Sequence, residues 1–215
     1  MYFEYGEKET EYLKAKDPRL AEIIDRIGHI SREVDTDLYA SVVHNILGQQ
    51  ISTKAEQTLW SRAVARYKVI TPEVFSRESI ADIQSLGTTY RKAEYIKDFT
   101  DRIVSGSFDL EAVKEMSDQD AIAALSSLKG IGVWTAEMLL LFCLQRPNVF
   151  SYGDLAIQRG LRMVHHHRKI TPGLFEKYRR RYSPYCSVAS LYLWEVAGGA
   201  VEGMKDYAPK KGKTR

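Results

Sequence analysis

Apolar residues return along most of this chain at intervals of three and four, the spacing of one face of a helix. Leu20, Ile23, Ile24 and Ile27 form the first such set, with Asp17-Pro18 as a helix start and Gly28 as its end. Leu38, Val42, Val43, Ile46 and Leu47 form the second, stopping at Gly48-Gln49-Gln50. Thr53 and Glu56 have capping-box spacing ahead of Ala55, Leu59, Ala63 and Tyr67. Thr71-Pro72-Glu73 starts a short helix, Ile80, Ile83 and Leu86 run to Gly87, and Tyr90, Ala93, Ile96, Phe99 and Ile103 run to Gly106.

Ser117 and Asp120 cap a further helix carrying Ile122, Leu125 and Leu128. Asp154 opens a helix over residues 155–164, Thr171-Pro172 a basic one, and Pro184 an apolar one that ends at Gly198-Gly199. Short extended runs such as Val149-Phe150 are few. The pattern predicts an all-α fold of about ten short helices. Leu86-Gly87 followed by TYRKAEYI is a looser echo of the stretch from Leu128 to Ala136.

Composition narrows the class of protein. With 215 residues, 44% hydrophobic and 27% charged, the chain has the make-up of a soluble globular protein of one domain or two joined lobes. The longest apolar run, Met138 to Leu144, is too short for a membrane span. MYFEYGEKETEY has neither a signal core nor an Arg-rich transit pattern, so an intracellular location is expected, cytoplasm or nucleoid if the source is bacterial. Cys143 and Cys186 cannot supply a four-thiolate cluster and are expected to be buried free thiols. A net charge of +3 permits a nucleic-acid partner without requiring one.

Chemistry concentrates between Leu128 and Asp154. In Leu128-Lys129-Gly130-Ile131-Gly132-Val133, two glycines flank one apolar residue between helical runs. Glycines open backbone angles closed to other residues and let a ligand approach the main chain. Amides of such a turn and of the following helical turn, through Val133 and Thr135, converge at the positive end of the helix dipole, which suits a phosphate. Lys129 adds charge nearby, and Ile131 is expected to anchor the turn in the core. A glycine-capped turn between two helices explains a bare Gly-x-Gly equally well. Asp154 stands at an ordinary N-cap position, where a helix terminus also favours an ionised carboxylate. His165-His166-His167 point in different directions on a helix and make a poor metal site.

LKGIGVWTAEM resembles the helix-hairpin-helix of the DNA glycosylase superfamily, and NVFSYGDLAIQRG resembles the segment carrying its catalytic aspartate. ILGQQIS at 46–52, the GIGVWTA run and YSPYCSVASLYLW at 182–194 are similar to the 3-methyladenine DNA glycosylase II class. The likeness covers about Asp17 to Gly199.

It implies two helical lobes with a DNA-binding cleft between them. Residues 1–36 would pack with the C-terminal lobe. Residues 37–148 would form the lobe with the hairpin at about 118–144, residues 149–200 the C-terminal lobe, and 201–215 a basic, disordered tail. It implies excision of alkylated purines from damaged double-stranded DNA by a monomer, with Asp154 stabilising the oxocarbenium ion and helping water attack.

Trp134 stands where a related branch carries a nucleophilic lysine, so the enzyme is expected to leave the abasic strand intact. Trp134, Tyr185 and Met138 would line the base pocket, although Met138 departs from an aromatic found in some members. Gln49, Gln50 and Ile51 match the wedge that fills the gap of a flipped base. Lys129, Gly130, Gly132, Val133 and Thr135 would hold phosphate, and Arg159, Arg162 and the run from Lys177 to Arg181 are further candidates. Trp194 is expected in the core and Trp60 in ordinary packing. No cofactor is implied, apart from a monovalent cation that hairpin carbonyls can hold in this superfamily. A different lesion, hypoxanthine or ethenoadenine, or a non-catalytic DNA-binding role remain as alternatives.

Overall fold

The computed structural model describes residues 1–209, and within them the chain is all helical. It opens with α1 (Glu7–Lys16) and α2 (Pro18–Ile27). Then come α3 (Leu38–Gly48), α4 (Thr53–Tyr67), α5 (Pro72–Ser76), α6 (Ile80–Gln84) and α7 (Tyr90–Val104). They are followed by α8 (Leu110–Glu115), α9 (Asp118–Ser126) and α10 (Val133–Phe142). The last are α11 (Leu155–His165), α12 (Pro172–Tyr182) and α13 (Cys186–Gly198). Two compact units result: one of Asp35–Leu144, the other of Met1–Val34 with the chain from Gln145 onward.

The unit of Asp35–Leu144 is built on α3, in which every residue from Leu38 to Val43 is buried, with Ile46 and Leu47. Asp37 starts it by accepting from the Ala40 amide at 2.9 Å. Tyr39 stacks on Phe99 at 5.2 Å and exchanges a hydrogen bond with the Thr100 hydroxyl at 2.7 Å, which fixes α3 to α7. Ser52, not Thr53, caps α4; Glu56 turns instead toward His44, 3.4 Å away. α8, absent from the sequence reading, is set by Asp109, which accepts from the Glu111 and Ala112 amides. Only Val113 of α8 is buried, so its periodicity is too short to register.

The other unit holds the N-terminal helices with α11, α12 and α13. α1 also escaped the periodic pattern, because Leu13 is its one buried residue. It is held from outside: the Tyr12 hydroxyl donates to the Ser183 carbonyl at 2.6 Å. α11 crosses α13 at Gly160, where any Cβ would collide with the Leu193 carbonyl. Val149-Phe150 is not a strand. Ser187 fastens that segment to α13, donating to the Arg146 carbonyl and accepting from the Val149 amide. The one bridge among the described residues pairs Tyr2 with Glu33.

The basic tail needs correction over its first part. Asp206 pairs with Arg162 through both carboxylate oxygens, at 2.7 and 2.6 Å, and Tyr207 packs on His166. The Asp206 carboxylate within that stretch is enough to tie it to α11. Residues 210–215 lie outside the described residues.

Asp17 is the polar centre of this unit. Fully buried, it caps α2 through the Arg19 and Leu20 amides and accepts from Arg181 at 2.9 Å and the Tyr182 hydroxyl at 3.0 Å. His165 Nε2 lies 3.0 Å from the Tyr182 oxygen. Since the Tyr182 proton goes to Asp17, the imidazole must donate from Nε2. Burial pushes the His165 pKa down, and the Asp17 charge only partly opposes this. Burial works against the Asp17 carboxylate too, but His165, Arg181 and the Leu20 amide outweigh it and leave its pKa lowered.

Both folded-state values lie below the unfolded ones, so each group stabilises the fold at neutral pH and loses that contribution as pH falls. The urea midpoint is therefore expected to drop between pH 7 and pH 5, as solution acidity passes the ordinary histidine value of 6.5. His165→Gln should flatten that part of the profile; an unchanged slope would refute the assignment. Asp17→Asn should cost about 2–3 kcal/mol at pH 7, below the roughly 3–5 kcal/mol of a fully buried pair because Arg181 is partly in water.

Candidate active site and nucleic-acid interface

In the unit of Asp35–Leu144, α9 and α10 are joined by the glycine hairpin. Leu128 and Ile131 are buried and anchor it, and the Ile131 amide donates to the Leu128 carbonyl at 3.1 Å. Gly130 has φ +83°, and a Cβ there would strike the Tyr95 ring. Gly132 differs from the sequence expectation: its φ is −91°, open to any residue, and nothing lies within 4 Å of a Cβ built on it. Its lack of a side chain therefore keeps the N-terminal end of α10 bare, since no side chain caps that helix. The first intrahelical bond runs from the Ala136 amide to the Gly132 carbonyl, so the earlier amides of α10 point out of that end.

Lys129 stands in solvent but is paired with Asp98 at 2.6 Å. Val133 and Trp134 are exposed, Trp134 by 47%, whereas Thr135 and Met138 are buried. Thus Thr135 can offer its amide to a phosphate but not its side chain. The Gln49 side-chain amide donates to the Gly130 carbonyl at 2.6 Å and is engaged with the hairpin. Of the three wedge candidates, Gln50, at φ +55°, and Ile51 are exposed.

In the other unit Asp154 caps α11. One carboxylate oxygen accepts from the Ala156 and Ile157 amides, both at 2.9 Å, which fixes the group's orientation. The residue is only 7% exposed. Beside it in sequence are two exposed apolar side chains that the periodic reading passed over, Tyr152 and Leu155, the latter 78% exposed. Leu155 sits in the first turn directly after the cap, off the buried face of α11, and an apolar residue at such a place is the signal that was available. Tyr152 stands edge-on to Phe175 at 5.2 Å. Tyr185 precedes α13, half-buried, with its ring edge-on to Tyr12 at 5.1 Å.

Other candidates divide in the same way. Arg162 is bound to Asp206, Arg179 to Glu176 and Arg181 to Asp17, so their charges are matched within the protein. Lys177 and Arg180 are exposed, and Arg180 lies 3.7 Å from Glu176. Trp194 is half-buried rather than in the core, and Trp60 stacks on His44 at 4.2 Å. Both cysteines are buried and free, with burial pushing the thiol of Cys143 up to about 11 and that of Cys186 to about 12. Among the described residues no group of three or more potential ligands could hold a metal ion, and no helix is long and apolar enough to cross a membrane.

The model of the "HhH-GPD superfamily base excision DNA repair protein" family matches residues 43–184, which include the turn after α3, the whole hairpin and Asp154. This chain belongs to the HhH-GPD superfamily. Among solved structures, the DNA-3-methyladenine glycosidase of Bacillus halodurans is 31% identical, with a TM-score of 0.83 over 94% of this chain and 95% of that one. A Schizosaccharomyces pombe 3-methyladenine DNA glycosylase in complex with abasic DNA is 26% identical, with a TM-score of 0.73 over 89% and 97%. YfjP of Bacillus subtilis, provisionally named a DNA-3-methyladenine glycosylase, is 30% identical over 170 residues, 75% of this chain. The HhH-GPD chain described here spans 59% of YfjP's length.

Proposed function

We propose that this protein is a monofunctional DNA glycosylase that removes alkylated purines of the 3-methyladenine and 7-methylguanine type from damaged duplex DNA, the first step of base excision repair. The observation that carries this reading is Asp154: a carboxylate fixed by two amides at a helix start, within the matched part of an HhH-GPD chain. Relatives named for 3-methyladenine support the substrate class. The hairpin grips the phosphate backbone with main-chain amides, and the nucleotide is extruded from the stack to be reached.

A purine alkylated at N3 or N7 is already cationic. As the C1′–N bond breaks, its electron pair neutralises the departing base, so no acid has to protonate it. The sugar is left as an oxocarbenium ion, which the Asp154 carboxylate stabilises. Water then bonds to C1′ and gives up a proton, leaving an abasic site. This chemistry requires no cofactor. If a monovalent cation binds, the hairpin carbonyls would hold it; the Gly130 carbonyl already accepts from the Gln49 side chain at 2.6 Å.

Trp134 is exposed, and its ring can stack on a cationic base, a contact contributing about 0.5–2 kcal/mol; the Tyr185 ring, in the other unit, has the same chemistry. Met138 would act from beneath, as packing. Trp134, at the place of the related branch's lysine, supplies no amine for a Schiff base, which is the ground for the monofunctional reading. We further propose that the protein acts as a monomer, where cellular DNA is.

The test is base release from duplexes carrying methylated purines, hypoxanthine or ethenoadenine, with borohydride present in parallel. Methylpurine release with no trapped adduct is the expected result. Release of hypoxanthine or ethenoadenine alone would move the substrate class, a trapped adduct would overturn the monofunctional reading, and no release of any base would sink the enzyme.

A further inference from the structure

The turn after α3 is held from two sides, both within the unit of Asp35–Leu144. Lys92, in the first turn of α7, donates from Nζ to the Leu47 carbonyl at 2.8 Å and to the Gln49 carbonyl at 2.7 Å. These oxygens belong to the C-terminal end of α3, where carbonyls lack helical partners and the dipole favours a cation. Gln49, whose carbonyl Lys92 holds, extends its own side chain to the Gly130 carbonyl at 2.6 Å. One residue is therefore clamped at its main chain by α7 and at its side chain by the hairpin. The next residue, Gln50, takes φ +55°, a left-handed conformation that a non-glycine residue adopts only when its surroundings impose it. Gln50 and Ile51 project beyond this clamp into solvent.

We propose that Gln49 and Lys92 are positioning residues that lock the tip Gln50-Ile51 to the hairpin, so that the phosphate grip and the insertion into the base stack work as one rigid piece. The inference rests on the glycosylase reading above and adds to it which residues control extrusion. Opening a base step costs stacking energy, and a tip that also had to be ordered on insertion would add its own entropy. A tip already fixed relative to the hairpin avoids that second cost. Neither side chain has to touch the DNA for this. The clamp should influence extrusion strongly and binding of undamaged duplex weakly, because the hairpin amides remain when the clamp is cut.

Gln49→Met keeps length and removes the donor; Lys92→Met removes the clamp on both carbonyls; Lys92→Arg keeps two-carbonyl donation. Single-turnover release from a paired lesion should fall at least about tenfold in the two methionine variants, toward the roughly 10²-fold that misplacement by about 1 Å can cause. Affinity for undamaged duplex should stay within about threefold, since backbone contacts supply nonspecific binding. The defect should shrink for a lesion placed opposite an abasic site, where unpairing is already done. Lys92→Arg should recover most of the rate, and 2-aminopurine beside the lesion should report reduced unstacking in the methionine variants.

Equal losses on paired and unpaired lesions would mean a general structural role and overturn the proposal, as would no loss on either. If the wild type releases no base, the glycosylase reading fails by itself. The 2-aminopurine signal, which needs no bond cleavage, still decides the clamp: unstacking equal in wild type and variants, or absent from both, overturns it.

Discussion

Asp154→Asn is expected to slow single-turnover release of a methylated purine by about 10²–10³-fold, the effect of removing one well-placed electrostatic partner of a transition state. The substitution separates the two duties of this residue. An asparagine oxygen can still accept from the Ala156 and Ile157 amides, now at 2.9 Å, and asparagine caps helices about as well as aspartate. The melting temperature should therefore stay close to that of the wild type. Asp154→Ala loses both duties and should also destabilise by about 1 kcal/mol, the typical worth of such a cap. Single-turnover rates with protein in excess, measured beside thermal melts, distinguish these outcomes. A wild-type rate in the asparagine variant would end the assignment of Asp154 to the reaction.

The two hairpin glycines should fail in different ways. Gly130→Ala forces a side chain into the left-handed region, at about 1–2 kcal/mol, and drives its Cβ into Tyr95, with overpacking of that kind costing about 1–3 kcal/mol. Stability and DNA affinity should fall together, with Tyr95 giving way or the turn changing shape. Gly132→Ala meets no atom within 4 Å and needs no unusual backbone angle, so its cost to folding is that of a poorer helix cap, about 1 kcal/mol or less. Its Cβ would stand over the end of α10 where a phosphate must come close. Affinity for duplex should drop about tenfold or more with the fold intact, comparable to losing one charge-assisted hydrogen bond of about 1.5–3 kcal/mol. Urea titrations paired with fluorescence anisotropy over a range of salt concentrations test both. Unchanged affinity in Gly132→Ala would show that the amides of α10 do not bind the backbone.

How much of this was legible in the sequence depends on the distance over which each feature is decided. Helices whose buried face repeats through two or more turns, such as α2 and α3, could be placed from periodicity and caps. α1 and α8 could not, because one buried residue each leaves no period to detect. Asp154 was legible as a cap, which the structure shows, and the resemblance made it the candidate for the reacting group. The glycine pair was legible as a turn, but its division into a strained position and a merely bare one was not, since backbone angles follow from how Tyr95 and the flanking helices pack.

Partner choice among polar side chains was the least legible. Gln49 read as a wedge candidate and proves to be bonded to a carbonyl 81 positions away. Arg181 read as a phosphate contact and is spent on Asp17, 164 positions away. Arg162 is claimed by Asp206 from a stretch expected to be without structure.

The sequence by itself therefore determined the all-helical fold, the glycine turn between α9 and α10, the carboxylate at the start of α11 and the absence of an amine at position 134. Each depends on residues within a few positions of one another, where capping geometry and the 3.6-residue period act directly. Only the tertiary structure decided which cations are already matched, which glycine cannot be replaced, and that the turn after α3 is bonded to the hairpin and to α7. Those outcomes depend on which donor meets which acceptor once distant segments are packed, and a buried polar group takes whatever partner the fold brings to it.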